Sequence, residues 1–227
     1  DMEFYLKMAK KSLKNSQLVA FGSTRRPNSK ASDDNNLMAL IKSQAKIVTI
    51  FGKTWDLHIK DVLKTSLDEN LEMIKDTVSF LILKGIIVFY DAEHFFDAYN
   101  ANPEYSLKCL LTAMEAGAKA IILCDTNGGT LTSEISRIVR EIRPRINVVL
   151  GIHCHNDAGL AVANSIAAVQ AGCDMVQGTV NGYGERCGNA DLIPILANLK
   201  IKLGLDCISD EKLKELTHVS YFVSEIS

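Results

Sequence analysis

The chain has 227 residues, 47% apolar and 23% charged, the balance of an ordinary globular protein long enough for one substantial core or two small ones. A net charge of −2 implies no general pull toward nucleic acid or membrane, and no apolar stretch nears the ~20 residues needed to span a bilayer. The opening DMEFYLKMAKKSLKNSQ lacks the basic-then-apolar order of a secretion signal, and six cysteines at 109, 124, 154, 173, 187 and 207, with no CxxC, suit scattered thiols in a reducing compartment. The cytoplasm is the expected location.

In chain order, residues 3–15 read as a helix. Six short β-branched runs follow: QLVAF (17–21), AKIVTIF (45–51), GIIVFYD (85–91), AIILCD (120–125), VVLGIH (148–153) and MVQGTV (175–180). They are nearly all apolar, as parallel strands covered on both faces should be. Helical patterns alternate with them at roughly 33–43, 68–83, 104–116, 133–142, 159–171 and 189–203. Ser66 and Glu69 have capping-box spacing, and Gly117 and Gly172 stand where helices should stop. A strand–helix beat of roughly 30 residues is the βαβ unit.

The fold class is therefore α/β, either a doubly wound sheet or a (β/α)8 TIM barrel. Nearly every strand ends in a chemically loaded loop: GSTRRP, GKTWDLH, DAEHFFD, DTNGG, HCHND and NGYGERCGNA. An open sheet concentrates function at one switch point, whereas a barrel gathers all its strand ends into one mouth. The barrel is favoured, and it is incomplete: six strands are visible where eight are needed, so the chain reads as a piece of a larger protein.

Two of the five histidines fall at the end of the fifth run, in GIHCHND. Side chains alternate along a strand, so His153 and His155 point to one side and Cys154 to the other. Two imidazoles at that spacing suit a shared metal ion, usually completed by a carboxylate. Asp91, Glu93, Asp125 and Glu185 are the candidates, and spacing does not choose among them. VNGYGERCGNA (180–190) is not a dinucleotide fingerprint, because its glycines are spaced GxGxxxG; nor is FGKT (51–54) a phosphate loop, because Ile47 stands where a glycine is required. The glycine-rich stretch instead offers backbone freedom beside Glu185, Arg186 and Asn189. Arg25 and Arg26 read as a solvated basic pair, Trp55 and His58 stay unassigned, His94 is expected to point opposite to Glu93, and His218 reads as structural.

GIHCHNDAGLAVANS followed by QGTVNGYGERCGNA closely resembles the barrel enzymes that condense acetyl-CoA with 2-oxo acids, the isopropylmalate, homocitrate and citramalate synthases. FGSTRRP, IFGKTWDLH and YDAEHFFDAY resemble the citramalate branch. The resemblance covers essentially the whole chain. It implies that His153 and His155 bind a divalent metal (Mg²⁺, Mn²⁺ or Zn²⁺), with Asn189 close to it, directly or through water. It places Glu93 in the active site and Thr126 on the carboxylate of the oxo acid. The family's first-strand D-x-T-x-R-D-G motif, carrying a third ligand and a catalytic arginine, does not occur here. By alignment the visible strands are numbers three to eight, with residues 1–203 as partial barrel and 204–227 as the start of a helical connecting region. The implied activity of the full protein is (R)-citramalate formation from acetyl-CoA and pyruvate in isoleucine biosynthesis, by a homodimer, with no nucleic acid or membrane partner. A superfamily lyase, a synthase with a larger acceptor, or an inactive truncated product are the alternatives.

Overall fold

The structure, a computed structural model, describes residues 2–11 and 13–227. The chain divides into two compact units, Asp1–Leu123 with Ile146–Val149, and Cys124–Arg145 with Leu150–Ser227.

The first unit holds α1 (Met2–Ala9), β1 (Val19–Ser23), α2 (Asn35–Lys42), β2 (Ile47–Lys53), α3 (Asp56–Asp61), α4 (Leu67–Leu83), β3 (Ile87–Glu93), α5 (Phe95–Ala101), α6 (Pro103–Glu115) and most of β4 (Ala120–Asp125). Its strands pair in parallel, from Val19↔Ile47 through Lys53↔Glu93 to Ala92↔Leu123. Val48, Ile50, Val88, Tyr90 and Ala92 are buried on the strands, and Ile74, Val78 and Leu81 on α4. A strand with both faces covered has no use for polar alternation, which is why these runs read as continuously apolar.

The second unit holds α7 (Thr132–Ile142), β5 (Val149–Cys154, apart from its first residue), α8 (Ala161–Ala171), β6 (Met175–Gln177), α9 (Leu192–Ile201), α10 (Asp210–Lys214) and α11 (Leu216–Ile226). β5 and β6 pair in parallel from Gly151↔Met175 to His153↔Gln177. Helix α8 stops at Gly172, which takes φ +117 as its cap, a conformation that suits glycine.

The six expected strands are all present, and so are the helices between them. Four details differ. The first helix ends at Ala9 instead of running to residue 15, with Ser12 lying outside the described residues. Two short helices, α3 and α5, occupy loops that showed no helical period. β6 ends at Gln177, because the chain turns at Asn181 (φ +63) while Thr179 N–H donates to the Ala190 carbonyl at 3.0 Å. α9 starts at Leu192, where Asp191 caps it by accepting from Ile193 N–H at 2.9 Å, so Asn189 and Ala190 are freed for extended pairing.

Ser66 caps α4 through Glu69 N–H at 3.1 Å. The Glu69 carboxylate does not complete the box; it accepts from Arg25 Nη1 at 2.8 Å and from Asn28 N–H at 3.0 Å. Arg25 Nε also reaches Asp76 at 2.7 Å, and only 6% of the residue is exposed. Arg25 is therefore a buried, paired cation and not the solvated one expected, whereas Arg26 is exposed. The Arg25 guanidinium holds the Glu69 carboxyl below the ordinary 4.5. Arg25→Met is expected to destabilise the chain by about 1–3 kcal/mol, because it strands two carboxylates that were arranged around a charge. Since the folded pKa is the depressed one, the Glu69 contribution is full above pH 4.5 and fades as the pH falls toward the folded value. Urea unfolding of both proteins across this range should show their stabilities converging in acid.

Candidate metal and substrate site

β5 delivers His153 on its penultimate residue and leads directly into His155. The rings share a face with centroids 5.1 Å apart at 62°. Cys154 points away and is fully buried, and that burial pushes its thiol pKa upward, which makes it a poor ligand. Burial, then the neighbouring His155, lowers the His153 pKa to about 4, so the ring is neutral. His155 is lowered too, by burial and then by Arg186, against the opposing pull of Glu185, Asp157 and Asp125.

The His153 ring is hydrogen-bonded to Gln177, in a sense that favours the protonated ring. His155 and Asn189 sit opposite each other in an antiparallel bridge, which puts their side chains on one face. The bridge is framed by Asn156 N–H to Gly188 O and Ala190 N–H to Cys154 O, both 2.9 Å. The Asn189 amide donates to the Tyr183 carbonyl at 3.1 Å, which fixes its rotation. Nδ1 of His153, Nδ1 of His155 and Oδ1 of Asn189 are all buried without a hydrogen-bond partner.

Among the described residues, no group of three or more His, Cys, Asp or Glu side chains is arranged to hold a metal. Asp125 is turned to Thr130, accepting from its hydroxyl at 2.8 Å and its N–H at 3.3 Å. Glu185 is exposed, 3.6 Å from Arg186. The donors this unit offers are thus two imidazoles and one amide oxygen. All three are neutral, buried and lacking hydrogen-bond donors, and they fit a divalent cation of borderline softness.

Three loops frame these donors. The loop after β4 carries Thr126; its Gly128 takes φ +62, and a Cβ there would lie 2.6 Å from Asp157 Oδ2 and 2.8 Å from Asp157 N. The loop after β5 carries Asp157. The glycine-rich loop carries Arg186, whose Nε and Nη2 reach Asp157 at 2.8 and 2.9 Å, while Nη2 also donates to the Thr126 carbonyl at 2.7 Å. Gly184 packs so closely on Asn189 that any Cβ would collide with its amide nitrogen. Reading the sequence alone missed Gln177, the Tyr183 carbonyl and the Arg186–Asp157 pair; only the enclosing motifs flagged the last.

Glu93 ends β3 in the first unit. Its carboxylate lies 2.6 Å from Lys53 Nζ, its partner in the strand register, and its carbonyl accepts from the Thr54 hydroxyl at 2.6 Å. Beyond it, His94 turns into the left-handed region (φ +56) instead of continuing the strand, and contacts Asp97 at 3.3 Å. Trp55, His58 and His94 form a ring cluster, with the two imidazoles edge-to-face at 4.4 Å.

A profile of the HMGL-like family matches residues 3–223. The chain belongs to that family, and its six parallel strands and their helices are steps of the family's (β/α)8 TIM-barrel fold. It is 53% identical to the (R)-citramalate synthase of Aquifex aeolicus over 227 residues and 50% identical to that of Synechocystis sp. over 234, covering 100% of this chain and 43% of each relative. The chain thus spans less than half the length of the curated relatives it matches. Among solved structures, the HMG-CoA lyase from Brucella melitensis superposes with a TM-score of 0.78 at 15% identity, over 99% of this chain and 79% of that one. At that identity the likeness concerns the fold alone.

Gly128→Ala is expected to lower stability by about 1–3 kcal/mol, since the new methyl meets both a left-handed backbone and the Asp157 loop. Denaturant unfolding measures the loss, and an unchanged midpoint would contradict the close loop packing.

Proposed function

We propose that the whole protein containing this chain is an acyltransferase that condenses acetyl-CoA with pyruvate to give (R)-citramalate. The observation that carries this is the trio of unpartnered buried atoms on His153, His155 and Asn189. Identity to citramalate synthases of about 50% across the whole chain, against 15% to a lyase of the same fold, favours synthesis over cleavage.

In this reading His153, His155 and Asn189 hold a divalent ion, Mg²⁺, Mn²⁺ or Zn²⁺. Bound there, the ion supplies Lewis-acid polarisation of the keto group and an anchor for the oxo acid. Thr126 hydrogen-bonds the acceptor's carboxylate. Glu93, already carrying Lys53 as counter-ion, orients and polarises the reacting groups; the proton of the acetyl methyl goes to another base. The neutral His153 keeps its lone pair at physiological pH, since its pKa is held near 4. Hydrolysis of the thioester then draws the reaction forward.

We assign residues 1–203 to the barrel and 204–227 to the start of a connecting region. We place the full protein, as a homodimer, in isoleucine biosynthesis in the cytoplasm. All six cysteines are free, four of them buried, which accords with a reducing compartment.

The test is CoA release by the full-length protein from acetyl-CoA with pyruvate, 2-oxoisovalerate or 2-oxoglutarate as acceptor. Pyruvate should be preferred, chelator should abolish turnover, and His153→Ala should lower kcat/KM at least ~100-fold, in line with losing a ligand that anchors the electrophile. Turnover with hydroxymethylglutaryl-CoA and none with acetyl-CoA would overturn the reading.

A further inference from the structure

Arg186 is an exposed residue of the second unit with an unusual backbone and several side-chain contacts. Its backbone takes φ +56, a region that a bulky non-glycine residue occupies only when its surroundings hold it there. The left-handed turn aims the guanidinium at two targets. One is Asp157, gripped through two parallel N–H···O bonds of 2.8 and 2.9 Å; the other is the Thr126 carbonyl at 2.7 Å. Glu185, 3.6 Å away, is a looser contact. An isolated surface ion pair does little, but a bidentate arginine fork fixes geometry as well as charge.

What the fork ties together gives it consequence. Thr126 belongs to the loop after β4, Asp157 lies two residues past His155, and Arg186 lies three before Asn189. The same loops are stitched by Ala158 N–H to Gly128 O and Asn156 N–H to Gly188 O, each 2.9 Å, and by His155 N–H to Asp125 O at 3.1 Å. Gly128 permits the approach, because a side chain there would strike the Asp157 carboxylate. None of these links touches the three unpartnered donor atoms, yet together they set where two of those atoms stand.

We propose that Arg186 is a positioning residue: its clamp on Asp157 and the Thr126 carbonyl preorganises the loops carrying Thr126, His155 and Asn189, so that cation affinity and oxo-acid binding both depend on a side chain that contacts neither. The inference rests on the metal-site reading proposed above. Arginine is required, because lysine brings one ammonium where two parallel donors and a third contact are needed.

The test uses the full-length protein, stripped of metal, with Co²⁺ alone as probe. Arg186→Lys and the near-isosteric Asp157→Asn should each weaken Co²⁺ binding about tenfold or more, the size expected for a residue behind the ligands. Without metal, both should speed amide hydrogen exchange in all three segments, 126–130, 155–158 and 183–190. The charge-swapped pair Asp157→Arg with Arg186→Asp should regain part of both, aided by the tolerance of aspartate for left-handed backbone. Should Arg186→Lys fail to fold, Asp157→Asn tests the same fork. Unchanged Co²⁺ affinity in either variant, or faster exchange confined to the mutated segment, overturns the proposal even if the melting temperature falls. His153→Ala separates the two readings. If it binds Co²⁺ as the parent does, the metal reading fails and the clamp is judged on exchange alone; if it loses Co²⁺ while Arg186→Lys keeps it, only the clamp fails.

Discussion

A buried polar atom without a partner costs about 1–3 kcal/mol, and the second unit places three of them on one face, on His153, His155 and Asn189. Much of the local architecture holds them there. Strand alternation sends both imidazoles one way and Cys154 the other. The antiparallel bridge between His155 and Asn189 turns the amide to the same side, and Tyr183 takes the amide's donor end so that the oxygen is left over. A chain optimised only for stability would satisfy or replace these groups. In the proposed function a cation would be their missing partner.

Periodicity carried most of the fold in advance. Parallel strands with both faces covered are written as apolar runs, and helices between them as a 3.6-residue period, so their order was readable. The misses share a cause. α3 and α5 are too short for a period to build up, and each begins at a strand-end loop whose polar residues mask it. Asn189 fell at the edge of a helical pattern because nothing local shows that Asp191 would cap the helix two residues later. Arg25 looked solvated because its partners Glu69 and Asp76 lie 44 and 51 residues away, a separation no local pattern encodes. The paired histidines were legible from spacing alone, whereas Asn189, Thr126 and Glu93 came from motif resemblance.

The charged residues sort by what surrounds them. Arg25 is packed between carboxylates inside the first unit and serves its stability. Arg186 is exposed, held in a strained backbone and shared among loops. Lys53 and Glu93 are register partners at the ends of adjacent strands, 2.6 Å apart, so Glu93 already carries a counter-ion within its own unit.

The neutrality of the donor set has a further consequence for the proposed chemistry. Both imidazoles are uncharged, with His153 held near a pKa of 4, and the third donor is an amide. No carboxylate among the described residues joins them, and the negative charge nearby, on Asp157, is already matched by Arg186. A divalent cation received by such a set keeps its full charge. That charge must be balanced by anions from outside the set, either carboxylates elsewhere in the protein or the 2-oxo acid itself. An acceptor presenting a carboxylate next to its ketone answers the electrostatic demand with one group and is polarised at the other. In the proposed reaction a simple ketone would bring no such charge, so the neutral donor set would favour an oxo acid over it wherever protein carboxylates leave part of the demand unmet.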